Sequence, residues 1–467
     1  MDKSKAEPTR LLGSGMDPTG TVYEIEGKIQ RGISKEFTDF ALSLLNNPTI
    51  QRLLKRKVIE TTISQASLEG YSLVLQHRKI SPQNYCFEWP AQMLQDAALI
   101  TLDICLELNR EGLVLKDATP WYVIFDGARP VLVDFTSIMP QETDLLWVAY
   151  DQFCRLFLFP LTIANQVSGR TCRALLLDSA NGITQDEVVR YLPSLAWLGK
   201  PWLLNRLYLP KMMVSLLRRT GQDKNLAQFY KKIDFSVIQR QSFFKSLSND
   251  IASIQLTSGK SLWSRYYADI NAFLNPAEYH LKQHTVARII DQCKPHTVTD
   301  IGCNQGGYAI LAARAGARVI AFDTDEDSIG PLYQFAKRQE VNILPLVMDV
   351  LSPSPGCGWR ANQYLSAPER LCSEMAFALG LVHHLVITYN QTFDRAVQTL
   401  SDYSNKWLLT EFIPLDDPRS RELLATSRRD MSWYSLDNFL EALRRYYPQI
   451  ETFPSYPPGR TLCLCQK

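Results

Sequence analysis

The chain has 467 residues, 46% of them hydrophobic and 21% charged, with a formal net charge of +2. That length exceeds one small core and implies two domains. The balanced charge gives no global electrostatic case for nucleic acid, though a local basic patch stays open. Ten cysteines are scattered without a CxxC pair or a Cys/His cluster at zinc-ligand spacing, so buried thiols, no metal and a cytoplasmic location are expected.

The polar opening MDKSKAEPTR lacks the apolar run of a signal peptide. TVYEIEGKI (21–29) alternates as a strand does. Residues 37–59 predict helix with a break near Asn47 and Pro48, and residues 93–112 carry apolar positions at helical spacing before a glycine stop. YVIF, DGAR and PVLVDF then read as two strands around a tight Asp126-Gly127 turn. From 142 to about 250 the pattern is mostly helical, with breaks expected at Pro160, Gly182, Pro193 and Pro201. Its most apolar stretch, LLWVAYDQFCRLFLFPL (145–161), contains Asp151 and Arg155. It is too short and too charged to span a membrane and reads as a buried helix, so no membrane association is expected.

Residues 261–293 predict a lead-in and a helix, after which strand, turn and helix alternate. The strands are VTDI (298–301), ARVIAFD (317–323), ILPLVMD (343–349), MAFALG (375–380), WLLTEFI (407–413) and TLCLCQ (461–466). Such alternation gives a mainly parallel, Rossmann-like α/β sheet covered by helices on both faces. The expected domains are 1–255 and 256–467. Ligands bind beyond the carboxyl ends of such strands, where Asp300, Asp323, Asp349 and Glu411 should lie.

The turn TDIGCNQGGYA (299–309) admits two ligands. A dinucleotide site needs G-x-G-x-x-G so that backbone can approach a diphosphate; here the middle glycine is Asn304, and Asp300 puts a negative charge beside the turn. S-adenosylmethionine carries a sulfonium and an ammonium and no phosphate, so the same carboxylate favours it. Gly302 and Gly306 allow close backbone approach. Asp323 can accept from both ribose hydroxyls, and Asp349 from the adenine amino group.

DIGCNQGGYA resembles the motif D-x-G-x-G-x-G, with Asn304 in the middle glycine position; AFDTDE, VMDV and ALGLVHHL (378–385) follow as second, third and fourth motifs. On these, residues 265–467 resemble the class I S-adenosylmethionine-dependent methyltransferases. The resemblance implies a seven-stranded sheet and S-adenosylmethionine held by Asp300, Gly302, Asn304, Gly306, Asp323 and Asp349. WSRYY, NILPLVMDVLSPSPGCGW, EFIPLDDPR and PPGRTLCL extend the likeness over most of the chain to the bacterial family that includes nodulation protein NoeA, which brings the fold but no known acceptor.

Methyl transfer mainly requires alignment, exclusion of water and, for an OH or NH acceptor, a base. His383 and His384 follow the fourth strand and suit that role; packing is the plainer alternative. Glu411 ends the fifth strand and either binds the acceptor, orients a histidine or faces solvent. Tyr266, Tyr267 and Lys282 precede the first motif and either close over the cofactor or pack a helix, the second being the simpler role. Trp359 in GCGW either stacks on an acceptor or packs in a loop.

In the first half, LKDATPWYVIFDGARPVLVDFTS (115–137) resembles the catalytic segment of kinase-like phosphotransferases. Asp117 stands at the base position and Asp134 at the metal-binding acid. Leu115, Tyr122 and Thr136 depart from the pattern, and no β3-type lysine is assigned. A degenerate, mostly helical α+β kinase-like domain is therefore expected before the methyltransferase domain.

The reading is a methyltransferase acting on a small-molecule, sugar-like or natural-product acceptor. A non-catalytic scaffold, a bifunctional kinase-methyltransferase and a dinucleotide dehydrogenase are the alternatives. The sequence carries no signal for an oligomeric state.

Overall fold

The computed structural model describes residues 9–10, 17–142, 144–193, 195–198, 200–212, 234–256, 270–425 and 429–467. The chain divides into two compact units, one of residues 1–125, 130–257 and 358–363, the other of 126–129, 258–357 and 364–467.

The first unit opens with β1 (Thr9–Arg10), β2 (Gly20–Ile25) and β3 (Lys28–Ile33). The predicted single strand at 21–29 is a hairpin. Its turn is Glu26-Gly27, with φ of 51° and 74°, the backbone that a two-residue hairpin needs. Helices α1 (Lys35–Asn46) and α2 (Pro48–Arg56) follow. The break between them falls where the sequence puts it: the Asn47 side chain accepts from the Thr49 and Ile50 amides at 2.8 and 3.2 Å, and Pro48 opens the next helix without needing an N–H. β4 (Thr61–Ile63) and β5 (Leu73–His77) complete an antiparallel sheet of order β1-β2-β3-β5-β4.

α3 (Ala91–Arg110) carries eleven buried residues along its length. It packs on α4 (Val237–Ser253), whose final turn accepts from Gln95 Nε2 through the Ile251 carbonyl at 2.8 Å. β6 (Leu113–Leu115) pairs with β9 (Ile138–Pro140), and β7 (Val123–Asp126) with β8 (Arg129–Leu132). Pro160 does not end its helix. A wide turn over Cys154–Leu158 precedes it, and helix continues through Phe159–Gln166. The wide turn shifts the hydrogen-bond ladder and so accommodates the missing proline N–H.

The second unit is a doubly wound sheet. Its main elements are α5 (Leu281–Cys293), β10 (Thr297–Ile301), α6 (Gly307–Arg314), β11 (Arg318–Asp323), α7 (Glu326–Gln339), β12 (Ile343–Val347), β13 (Ser373–Ala378), α8 (Phe393–Ser401), β14 (Ser404–Phe412), α9 (Pro418–Leu424), α10 (Leu436–Arg444), β15 (Gln449–Pro454) and β16 (Thr461–Gln466). The seven strands run in the order β12-β11-β10-β13-β14-β16-β15. β10 to β14 pair in parallel, and β16 lies antiparallel to both its neighbours. Strand order reverses beside β10, between β11 and β13, which is the point where such sheets open a crevice. The core under it includes Val298, Val319, Ala321, Ile343, Met375, Phe377 and Leu409. Edge strand β15 was not anticipated: its residues are exposed or half-buried, so no apolar alternation marks it. Among the described residues, no helix is long and apolar enough to cross a membrane.

Candidate functional site

The turn after β10 is built on left-handed backbone. Gly302, Asn304 and Gly306 have φ of 67°, 51° and 76°. Asparagine tolerates this region better than other side chains, so Asn304 keeps the geometry that a glycine would have there. Its side-chain Oδ1 accepts from the Gln305 amide at 2.7 Å. Gly306 is fixed by packing as well, since a Cβ there would lie 2.6 Å from the Leu332 side chain. The Gly302 amide donates to Phe322 O at 2.9 Å, which ties the turn to the end of β11.

The acids converge on this turn. Asp323 is half-buried and accepts from the Asn304 amide at 2.9 Å and the Asp325 amide at 3.0 Å. Burial raises its pKa against these bonds. Asp349, just beyond β12, accepts from the Leu351 amide at 2.9 Å. Asp300 is 3% exposed, and its Oδ2 has no hydrogen-bond partner among the described residues. Burial pushes its pKa up to about 7, with the nearby Asp323 charge adding to the rise and the Ala309 amide and Lys282 opposing it. A buried carboxylate oxygen without a donor is costly; it suits a site that receives a cationic or hydrogen-bond-donating ligand.

A cavity of about 230 Å³ lies at the carboxyl ends of the strands, and the buried Asp300 is not among the residues that line it. Gly302, Asn304, Asp323 and Asp349 line it, together with Lys282, Met348, Leu381, His384, Tyr389 and Leu423. Gly306 shapes the turn from behind, against Leu332. None of the three acids is in an ion pair among the described residues.

The two histidines part company. Their ring centroids lie 4.1 Å apart with the planes tilted by 42°, but only His384 lines the cavity. Burial and the Arg419 charge lower its pKa to about 4. His383 is 3% exposed with Nδ1 unpartnered among the described residues. Burial, His384, Arg460, Lys282 and Arg419 hold its pKa well below the ordinary value. Both imidazoles are therefore neutral near pH 7.

Glu411 does not face solvent and does not line the cavity. It is fully buried, taking the Lys282 ammonium at 2.7 Å and the Ser455 hydroxyl at 2.6 Å. Lys282, whose simpler reading was packing, is the residue that the sequence undervalued. Its side chain is 8% exposed, lines the cavity and lies 5.1 Å from the Tyr308 ring centroid. A single lysine in the first turn of a helix carries no motif, and its partner Glu411 lies 129 residues away in sequence. Tyr266 and Tyr267 lie outside the described residues. Trp359 is 59% exposed and does not line the cavity.

In the first unit, the two acids of the kinase-like segment are brought together with a third, Asp17. Arg31 on β3 pairs with Asp134 at 3.0 Å, and the Thr136 hydroxyl sits 2.8 Å from both the Asp134 and Asp17 carboxylates. Lys116 lies 3.4 Å from Asp17. Burial, then the Asp134 charge, raises the Asp117 pKa. Arg31, on which the sequence reading was silent, is thus the residue that closes on Asp134.

No family model matches the chain. The nodulation protein NoeA of Rhizobium meliloti is 29% identical over 444 residues, covering 93% of this chain and 91% of its own. Among solved structures, magnesium protoporphyrin IX methyltransferase (ChlM) from Synechocystis, with bound SAH, is 14% identical, covering 44% of this chain and 95% of its own at a TM-score of 0.30. The bifunctional kinase-methyltransferase WbdD is 16% identical, covering 42% and 46% at a TM-score of 0.28. The chain is, along nearly its whole length, a homologue of the nodulation protein NoeA.

Proposed function

We propose that the second unit is an S-adenosylmethionine-dependent methyltransferase acting on a small-molecule, sugar-like or natural-product acceptor. The observation that carries this reading is the charge of the cavity wall. Lys282 is balanced by Glu411 at 2.7 Å, which leaves the carboxylates of Asp323 and Asp349 as the net charge of the lining, with the buried Asp300 coupled to Asp323 behind them. A diphosphate would meet that wall with repulsion, and a sulfonium and an ammonium would meet it with attraction.

The residues present fit the cofactor. The buried, partner-free Oδ2 of Asp300 is suited to an ammonium, and binding a cation would return its carboxyl to the charged form. Asp323 keeps two backbone donors and lies open to the cavity, as a group accepting ribose hydroxyls should. Asp349 plays the corresponding part for an adenine amino group. Lys282 is placed for the methionyl carboxylate. When bound, S-adenosylmethionine supplies an electrophilic methyl group. Around it this chain orients and excludes water: Leu379, Leu381 and Leu423 line the cavity with apolar surface. His384 presents a neutral imidazole able to accept a proton from the acceptor. Its low pKa makes it a weak base, so alignment carries more of the rate than proton transfer.

A tritiated methyl donor incubated with the protein and a cell extract tests the reading. Label is expected in the small-molecule fraction, with a modest reduction in His384→Gln. Label in protein or nucleic acid would contradict the acceptor class; no label with a folded, donor-binding protein would favour the scaffold.

For the first unit we propose a kinase-like lobe without phosphoryl transfer. Such transfer needs acids free for metal and basic groups free for phosphate. Here Asp134 is engaged by Arg31 and Thr136, while Asp17 faces Lys116 and Thr136, so the chain's own carboxylate stands among the groups a phosphate would require.

A further inference from the structure

We infer that Arg460 and Asp417 are positioning residues for the cofactor cavity, acting through one continuous chain of buried polar contacts. The inference rests on the reading of that cavity as an S-adenosylmethionine site. It accounts for two sequence motifs that the cofactor contacts leave unused, EFIPLDDPR and PPGRTLCL.

The fold brings these motifs together. Arg460 Nε donates to Asp417 Oδ2 at 2.8 Å and Nη2 to Oδ1 at 3.1 Å. The two side chains are 7% and 4% exposed. Asp417 also caps α9, its Oδ1 accepting from the Arg419 amide at 2.9 Å, and Leu423 of that helix lines the cavity. On the other side, the Ser455 amide donates to Arg460 O at 3.0 Å, the Ser455 hydroxyl to Glu411 Oε1 at 2.6 Å, and Lys282 Nζ to Glu411 Oε2 at 2.7 Å. Lys282 lines the cavity too. One loop, 455–460, therefore grips both a helix and a lysine of the cavity wall.

A buried ion pair is a poor source of net stability, because desolvation offsets most of its attraction. What a bidentate pair supplies is direction. Here that direction fixes the start of α9 and the loop bearing Ser455. Ser455 in turn orients Glu411, and Glu411 aims the ammonium of Lys282. If the amino-acid end of the cofactor meets Lys282, disturbing the distant pair should weaken ligands that possess that end and spare those that lack it.

Two probes separate this from a general brace: S-adenosylhomocysteine, and 5′-methylthioadenosine, which lacks the amino-acid end. The double variant Asp417→Asn/Arg460→Gln removes both charges and strands neither. We expect it to weaken S-adenosylhomocysteine roughly tenfold or more, the scale of a lost charged hydrogen bond, and to leave 5′-methylthioadenosine unchanged. Arg460→Lys should recover part of the loss. S-adenosylhomocysteine should slow hydrogen exchange over 418–424 in the wild type and not in the double variant. Should the double variant fail to fold, Ser455→Ala cuts the same chain at its middle and should show the same split between probes. Equal weakening of both probes, or of neither, would overturn the inference. Absence of S-adenosylhomocysteine binding by the wild type would instead defeat the cavity reading itself, and this inference with it.

Discussion

Asp300 joins a cost to stability with the binding role proposed for it. Its folded pKa of about 7 lies above the usual aspartate value of about 4. Between those two pH values the folded state holds the proton more tightly than the unfolded chain. Its contribution to stability is thus present below the lower value and lost as pH rises through the upper one. Asp300→Asn is therefore expected to raise stability at pH 8 by roughly 1–3 kcal/mol, read as a higher denaturant midpoint. The same change should weaken S-adenosylhomocysteine and abolish its strengthening between pH 6 and 8. A variant that loses stability at pH 8 would contradict the burial argument. Gly306 makes the complementary case. Gly306→Ala places a Cβ 2.6 Å from Leu332 at a φ of 76°, so a loss of about 2 kcal/mol is expected from strain and overpacking, measured by chemical denaturation. Asn304→Gly should cost less than that, because the backbone it needs is already left-handed.

At the scale of elements, the strands that carry the site were legible because they are buried on both faces. Ile343–Val347 is buried at every position, and continuous apolar runs ending in an acid mark such strands. Asp300, Asp323 and Asp349 could accordingly be placed at or just beyond strand ends from the sequence, and two of them, Asp323 and Asp349, line the cavity. The edge strand Gln449–Pro454 could not, since exposure removes the pattern that would reveal it. Lys282 was undervalued for another reason: its importance comes from Glu411, a long-range partner supplied by the sheet. Glu411 itself was placed at the correct strand end, and the fold turns it inward onto that lysine. The histidines illustrate the same limit. Sequence spacing puts both after the fourth strand, and only packing decides that His384 meets the cavity. Both have pKa values below the ordinary histidine range. Their neutral form contributes stability that is present above about pH 6.5 and lost as pH falls through the folded values. Histidine resonances followed by NMR should show no titration of His384 until near pH 4; titration near 6.5 would mean that the ring is solvated.

At the scale of the whole molecule, the two units make separate demands on ligands. The second presents carboxylates to a cavity, and the first closes Asp17 and Asp134 with its own cations and a hydroxyl. The hairpin at Glu26-Gly27 and the pairing of Arg31 with Asp134 were beyond the sequence, because a β3 arginine becomes recognisable only when the strand and the acid meet. Full-length protein titrated with ATP and Mg²⁺ is expected to show no binding, and Asp17→Asn is expected to create weak binding by removing the opposing charge. Binding by the wild type would revive the bifunctional reading.

The most direct measurement for the central claim is calorimetric titration of the full-length protein with S-adenosylhomocysteine, set beside NAD(H) and repeated on Asp323→Ala. The expected result is binding of S-adenosylhomocysteine, none of the dinucleotide, and a loss of about 2–3 kcal/mol in the variant, the scale of a lost hydrogen bond to a charged group. Binding that is unchanged in Asp323→Ala, or a preference for the dinucleotide, would contradict it.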